Sequence, residues 1–259
     1  MIYRSLKVIP VFVGFLLIWE ILVRSLNTPS WFLPAPSVIF AELGNHPRLY
    51  LAQSFYTLMT TMLGFTAAFV AGVILAIAIV YSRILENTLY TLLVSFNSVP
   101  KIALAPLFII WLGTGLQSKV AVSFLIAFFP IVIDMVLGLR STDPDALNLF
   151  KTMHGSPLQA LIKIRLPNAL PYMFSGMKVA ISLALVGAVA GEFIASQSGL
   201  GYVILTAQGM FFTARVFAAI LVLGLMGTIL FYLVDLAEHL VCPWHVSHRE
   251  EEAAVAARG

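Results

Sequence analysis

Residues 56–81 read YTLMTTMLGFTAAFVAGVILAIAIVY, a run without a charged side chain. A helix needs about 20 mainly apolar residues to cross the hydrocarbon of a bilayer. The run is long enough, so it reads as a membrane-spanning helix. Working outward, five further segments meet the same criterion: 8–26, 89–112, 120–139, 172–194 and 216–241. The expected fold class is an all-α membrane protein of about six transmembrane helices. Segment 89–112 carries Asn97, Pro100, Lys101 and Pro106, so a kink or break is predicted there.

Composition agrees with the bilayer as solvent. The chain has 259 residues, 60% hydrophobic and 10% charged, with a mean hydropathy of +0.97. Soluble domains carry roughly 25% charged residues. The net charge of +3 comes from only 15 Lys and Arg, which reads as topology rather than nucleic-acid binding. Cys242 is the sole cysteine and the five His are scattered, so neither a disulfide nor a Cys- or His-rich metal site is expected. Arg4 and Lys7 precede the apolar run 8–26, which is too long for a signal-peptide core and reads as a retained first span. Glu20 and Arg24 lie four apart on it, within pairing reach near its outer end.

Orientation follows from the basic residues. With the N-terminus inside, Arg4, Lys7, Arg83, Arg140, Lys151, Lys163, Arg165, Arg249 and Arg258 are cytoplasmic, and Arg24, Arg48, Lys119 and Arg215 are external. Both termini are therefore expected in the cytoplasm. The outer loop 27–55 holds Trp31-Phe32-Leu33-Pro34-Ala35-Pro36 and an amphipathic stretch, expected along the outer interface. The outer segment 195–215 is expected to contain a re-entrant or interfacial helix. No internal repeat or second domain is visible. The chain reads as a single transmembrane domain over 1–259, with a cytoplasmic loop at about 140–171 and a short cytoplasmic tail at about 242–259.

That inside loop is the informative one. Residues 141–171 read STDPDALNLFKTMHGSPLQALIKIRLPNALP. Asp143 is placed to cap a helix whose first turn holds Pro144 and Asp145. Ala146, Leu149, Phe150 and Met153 then recur at helical spacing, and Gly155 is expected to end the helix in the left-handed region. Ser156 is placed to cap a second helix beginning at Pro157, with Leu158, Leu161 and Ile162 as its apolar face. Two readings stand side by side. An amphipathic hairpin can rest on lipid or on its own bundle. It can also dock into a cytosolic partner, with Leu149, Phe150 and Met153 as anchor and Lys151 at the rim.

Charged groups at membrane depth are costly and face a partner, a cavity or water. Lys101, with Asn97 and Ser98 beside it, either lines a pathway, where it would attract an anion, or sits at a helix break and pairs with a nearby acid. Asp134 either pairs with Arg140 or Lys178 or lines an inner vestibule. Glu192 follows the small residues Val186-Gly187-Ala188-Val189-Ala190-Gly191 and is either near an outer gate or an interfacial acid at a helix end. Gly64, Gly72, Gly224 and Gly227 read as helix-packing positions. Asp235 and Glu238 read as ordinary interfacial charges.

The 141–171 stretch resembles the coupling loop of permease subunits of binding-protein-dependent ABC importers, with the pattern E-A-A-x-x-x-G, nine residues, then I-x-L-P. Anchored on Leu166-Pro167, the pattern's Glu falls on Asn148, its two Ala on Leu149 and Phe150, and its Gly on His154, one place before Gly155. The Leu-Pro end matches and the other positions depart. Over nearly its full length the chain is similar to the nitrate/sulfonate/taurine subgroup. The carrying segments are Leu33-Pro34-Ala35-Pro36, Ser98-Val99-Pro100-Lys101-Ile102-Ala103, 107–113, Phe128-Phe129-Pro130-Ile131, 166–171 and Gly199-Leu200-Gly201.

The resemblance implies a type I importer permease bundle in a bacterial inner membrane. It implies two copies of the chain around the pathway, two separate cytoplasmic ATPase subunits gripping the coupling loops, and an extracytoplasmic solute-binding protein. Asp145, Asn148, Leu149, Phe150, Lys151, Met153, His154, Gly155 and Leu158 would then be the ATPase-coupling residues. Asn97, Ser98, Lys101, Asp134 and Glu192 would be pathway or gate residues. The chain lacks G-x-x-x-x-G-K-[ST], so ATP and Mg2+ are expected in the partner ATPase and this chain is not expected to be an enzyme. The cargo implied is a nitrate-, sulfonate- or taurine-like anion or a small organic nutrient. The competing readings are an ion-coupled secondary transporter or channel, which usually shows inverted repeats or more membrane acids, and a non-transporting membrane scaffold.

Overall fold

Backbone groups at membrane depth have no water to bond to, so a spanning segment must satisfy them internally. The computed structural model describes residues 2–97 and 99–244, and no strand occurs among them. The chain is an all-α membrane protein. Its long helices are α1 (Ile2–Ser25), α3 (Pro47–Tyr81), α7 (Leu116–Arg140), α10 (Leu166–Ala195) and α12 (Thr213–Val241). Shorter helices connect them: α2 (Pro36–Asn45), α4 (Arg83–Leu85), α8 (Pro144–Thr152), α9 (Pro157–Ala160) and α11 (Leu200–Gly209). The third expected span is broken. It runs as α5 (Thr91–Asn97), a 3-10 turn at Lys101–Leu104 and α6 (Ala105–Leu112). Pro100 stands at the break, where its ring leaves no amide to continue the ladder.

Two boundaries differ from the sequence reading. Helix α3 begins at Pro47 rather than near residue 56, because proline at the first helical position gives up a donor that would be orphaned anyway. The outer loop thereby shrinks to the segment around α2. The outer segment after α10 contains α11, in keeping with the expected re-entrant or interfacial helix.

The core is the trio α3, α7 and α10, and glycine sets its spacing. Helices α7 and α10 run antiparallel and touch at four levels. A side chain at Gly138 would meet Ala169 and Tyr172, and one at Gly176 would meet Pro130 and Asp134. One at Gly187 would come within 2.7 Å of the Ser123 Cα and 3.1 Å of the Val122 carbonyl. One at Gly191 would meet Lys119. Helix α3 joins through Gly64 against Ser123 and Gly72 against Ile131. Ser123 Oγ closes the layer by donating to the Ala184 carbonyl at 2.9 Å. In hydrocarbon there is no hydrophobic gain from helix association, so close packing and such hydrogen bonds hold the bundle. Gly224 corrects the sequence reading: it faces open space, and Gly227 meets only the tip of Leu185.

The charges sort by end. Glu20 accepts from Arg24 at 2.6 Å and from the Ser37 amide at 2.9 Å, tying α1 to α2. Glu42 ties α2 to α12 through Arg215 at 2.7 Å. At the opposite end Arg140 pairs with Glu86 at 2.8 Å. The 141–171 hairpin, the start of α1 and the end of α12 share that end. The C-terminal tail from residue 245, with Arg249 and Arg258, and the side chains of Arg4 and Lys7 lie outside the described residues.

Replacing Gly187 by Ala forces backbone against backbone, and overpacking of this kind costs about 1–3 kcal/mol. Gly187→Ala is expected to lower the thermal midpoint of the detergent-solubilised chain, and Gly224→Ala to leave it unchanged, as read by differential scanning fluorimetry.

Candidate coupling hairpin and translocation face

Asp143 caps α8 by accepting from the Asp145 amide at 2.8 Å, and Pro144 fills the first helical position. The helix ends in paired reverse bonds. The His154 amide donates to the Lys151 carbonyl at 3.0 Å, and the Gly155 amide to the Phe150 carbonyl at 3.1 Å. This is the Schellman pattern, and its left-handed residue is His154, with φ +61°. Gly155 is therefore not the left-handed residue that the sequence suggested. It is small for a different reason: a Cβ there would overlap the Phe150 ring. The strained position coincides with the one onto which the family pattern's glycine falls.

Ser156 and Gln159 then form a reciprocal capping box at 3.3 and 3.0 Å, starting α9. A π turn at Leu161–Arg165 carries the chain straight into α10. Residues Pro157–Ile194 thus form one continuous helical stretch.

The hairpin exposes Asp145, Asn148, Leu149, Lys151, Met153, His154 and Leu158, while Phe150 and Gly155 are half-buried against each other. Leu149 and Leu158 are both 64% exposed and Met153 is 72% exposed. Ile162 is exposed as well, but Leu161 turns inward and joins the buried cluster of Ile79, Val136 and Leu139. The hairpin is fixed to the bundle from below. Tyr81 Oη donates to the Pro157 carbonyl at 3.1 Å, the Arg165 guanidinium lies over the Tyr81 ring, and Asn168 donates to Ser141 Oγ at 2.9 Å. An apolar knob is held rigidly away from its own bundle.

The candidate pathway residues do not converge. Ser98 and the side chain of Asn97 lie outside the described residues. Lys101 sits on the open face of the broken span, its Nζ 4.6 Å from the Phe129 ring centroid. A small cavity of about 220 Å3 adjoins it, walled by Pro100, Ile102, Ile126, Pro130 and Leu183. Asp134 packs beside Gly176. It does not pair with Lys178 or Arg140 as the sequence allowed. Lys178 is held by Asp235 and by Glu238, the latter at 2.5 Å, and Arg140 by Glu86. Asp235 and Glu238 are accordingly an internal counter-charge joining α12 to α10, not ordinary interfacial charges.

Glu192 is fully buried rather than interfacial. Its Oε2 accepts from the Gly201 amide at 2.8 Å and from Thr57 Oγ1 at 3.1 Å. The next amides back are captured too. Leu200 donates to Thr57 Oγ1 at 2.9 Å, and Gly199 to Gln53 Oε1 at 2.5 Å. Three successive amides at the start of α11, which a helix leaves without internal partners, are thus bound by side chains of α3 and α10. Gly199 has φ +103°, and a side chain there would overlap the Glu192 carboxylate.

Beside this cluster Lys119, also buried, donates to the Thr114 and Gly115 carbonyls at 2.7 and 3.1 Å. It floors a polar cavity of about 390 Å3 lined with Tyr56, Ser196, Gln197 and Ser198. Sequence reading passed over Gln53 and Thr57 and counted Lys119 only as an outside charge. The available signal was the i, i+4 spacing of Gln53 and Thr57 on one helix face.

Comparison with known proteins agrees with this architecture. The family described as binding-protein-dependent transport system inner membrane component matches residues 68–241. A probable ABC transporter permease protein of Haemophilus influenzae is 35% identical over 91% of this chain and 96% of its own length. The formylaminopyrimidine transport permease protein ThiX of Halalkalibacterium halodurans is 32% identical over 93% and 97%. The riboflavin transport system permease protein RibX of Chloroflexus aurantiacus is 34% identical over 90% and 87%. Permeases named for aliphatic sulfonates, nitrate and taurine match at 30%, 27% and 26% identity, so the subgroup suggested by the sequence is represented among more similar relatives. The fold matches an inward-facing MetNI methionine ABC transporter with a TM-score of 0.66 at 19% identity, over 76% of this chain and 98% of that one. The chain belongs to the binding-protein-dependent ABC importer permease family, as a multi-pass inner-membrane transport component rather than an enzyme.

Proposed function

We propose that two copies of this chain enclose the translocation pathway and that each presents its 141–171 hairpin to a cytoplasmic ATPase subunit. The observation that carries the reading is the pair of opposed facts at the hairpin. Leu149, Met153, Leu158 and Ile162 are exposed, yet Leu161, Tyr81 and Asn168 anchor the base. A rigid apolar knob outside the bundle fits a socket in a partner. ATP and Mg2+ act in that partner. Both termini are cytoplasmic in this reading, since the start of α1 and the end of α12 share the hairpin's end and Arg83, Arg140, Lys151, Lys163 and Arg165 concentrate there. The open face of the broken third span, with Lys101, faces the second copy and the cargo. Glu192 and its neighbours stand at the outer mouth, where the extracytoplasmic binding protein delivers cargo.

The cargo is a small heteroaromatic nutrient in preference to a nitrate-like anion. Relatives named for formylaminopyrimidine and riboflavin are 32% and 34% identical, and those named for nitrate and taurine 27% and 26%. Uptake into cells expressing the complete transporter should be suppressed more strongly by a pyrimidine competitor than by excess nitrate or taurine. The reverse order would reject this cargo.

Leu149→Asp with Met153→Asp is expected to weaken ATPase association about thirtyfold, the equivalent of about 2 kcal/mol at a hydrophobic anchor. Thermal stability of the permease should be unchanged because neither side chain is buried. Co-purification of the two subunits from membranes is the measurement, and undiminished association would refute hairpin docking. His154→Gly removes a left-handed strain of about 1–2 kcal/mol and adds roughly 0.5–1 kcal/mol of backbone entropy. The net expectation is slower hydrogen exchange in residues 150–155 with ATPase association retained.

A further inference from the structure

The hairpin and the outer mouth are the two ends of one helix. Residues Pro157–Ile194 run without interruption for 38 residues, about 57 Å at 1.5 Å per residue. Contacts at Gly138, Gly176, Gly187 and Gly191 fasten this stretch to α7 along its length. It is also fastened to α3 at both extremes. At the hairpin end Tyr81 Oη holds the Pro157 carbonyl. At the outer end Thr57 holds both Glu192 and the Leu200 amide, and Gln53 holds Gly199. Helix α11 is thus gripped by its first three amides, two of them by α3 and one by Glu192 of α10.

We propose that Gln53, Thr57 and Glu192 are positioning residues that make α11 move as one body with α10. Displacement of the hairpin thereby reaches the outer mouth without an intervening flexible joint. The physical reason is burial. Releasing α11 would leave three buried amide donors and the fully buried Glu192 carboxylate without their partners, and an unpaired buried polar group is costly. Helix α11 also packs its buried Leu200, Val203 and Ile204 with Tyr50 of α3 and with Ala218 and Ala219 of α12, and the captured amides add the directional tie that fixes its first turn to α3 and α10. The outer ends therefore follow the lever instead of relaxing independently, which is the requirement for a two-state element biased from a distant site. Lys119 at the start of α7 packs against Gly191 of α10 one residue before Glu192, and its ammonium donates to the Thr114 and Gly115 carbonyls.

The inference rests on the reading that the hairpin docks the ATPase, and its test separates the two. The permease–ATPase complex is placed in nanodiscs in a Cys242→Ala background, with Gln208→Cys on the exposed end of α11 as the reporter. A membrane-impermeant maleimide labels it in the nucleotide-free state and after trapping with ADP and vanadate. The expected result is a labelling rate that differs about fivefold or more between the two states, the lower edge of ordinary allosteric coupling.

Thr57→Val and Glu192→Leu, which remove the hydroxyl and the acceptor oxygens, should each reduce that difference to less than about twofold while ATPase association is retained. Thr57→Ser, which keeps the hydroxyl, should restore it. Gln53→Ala, at a half-exposed position, supplies a milder variant if either substitution prevents folding, with an intermediate loss expected. An unchanged labelling difference in the folded variants, or no difference in the parent complex, overturns the lever while docking stands. Failure of the ATPase to associate at all overturns the docking reading and the lever with it.

Discussion

Close approach of α7 and α10 is the constraint on which the rest of the structure depends. Where glycines on one helix face Ser123, Pro130, Ala169 and Lys119 on the other, the backbones come near enough for dispersion and carbonyl hydrogen bonds to act. Apolar burial adds little at that depth, since lipid tails solvate Leu and Ile as well as protein does. Because the contacts recur from Gly138 to Gly191, the pair cannot bend independently at one level. Helix α3 then fits against α7 through Gly64 and Gly72. The hairpin at one end and α11 at the other take their positions from this trio as well as from their own local contacts.

Charge placement follows the same logic. A lone Lys178 at depth would be expensive, and Asp235 and Glu238 on α12 neutralise it. Glu192 is held by the Gly201 amide of α11 and the Thr57 hydroxyl, so its burial is bound to one position of that helix. Charged groups here act as registration pins: each is tolerable only when two specific helices are correctly placed. Removing one partner leaves the other buried and uncompensated, so such pins specify arrangement more than they add stability.

The hairpin obeys the opposite rule. It stands beyond the bundle, so its helices are started by ordinary caps at Asp143 and Ser156 and ended by a reverse turn at His154. Its apolar side chains are not consumed by its own chain, apart from Leu161 and the Phe150–Gly155 contact. A surface of that kind lowers its free energy by covering itself, and in a rigid frame only a second molecule can cover it.

The all-α membrane architecture, the break at Pro100, the two capped helices of the hairpin and the asymmetry of basic residues were all legible in the residues themselves. Each depends on local chemistry: apolar run length, a missing amide, a capping side chain, a charge beside a membrane. The family resemblance lay in the same local segments. What only the tertiary structure decided is who meets whom. Lys178 could not be assigned to Asp235 and Glu238 over Asp134, nor Glu192 to Thr57 and the Gly201 amide, because spacing in the sequence leaves several partners equally plausible. Nor could the left-handed residue be moved from Gly155 to His154 until the Phe150 ring was seen to occupy the space a side chain at 155 would need. Periodicity determines the elements and which face each turns inward, but a pairing between distant helices is fixed only when close packing selects one register for both.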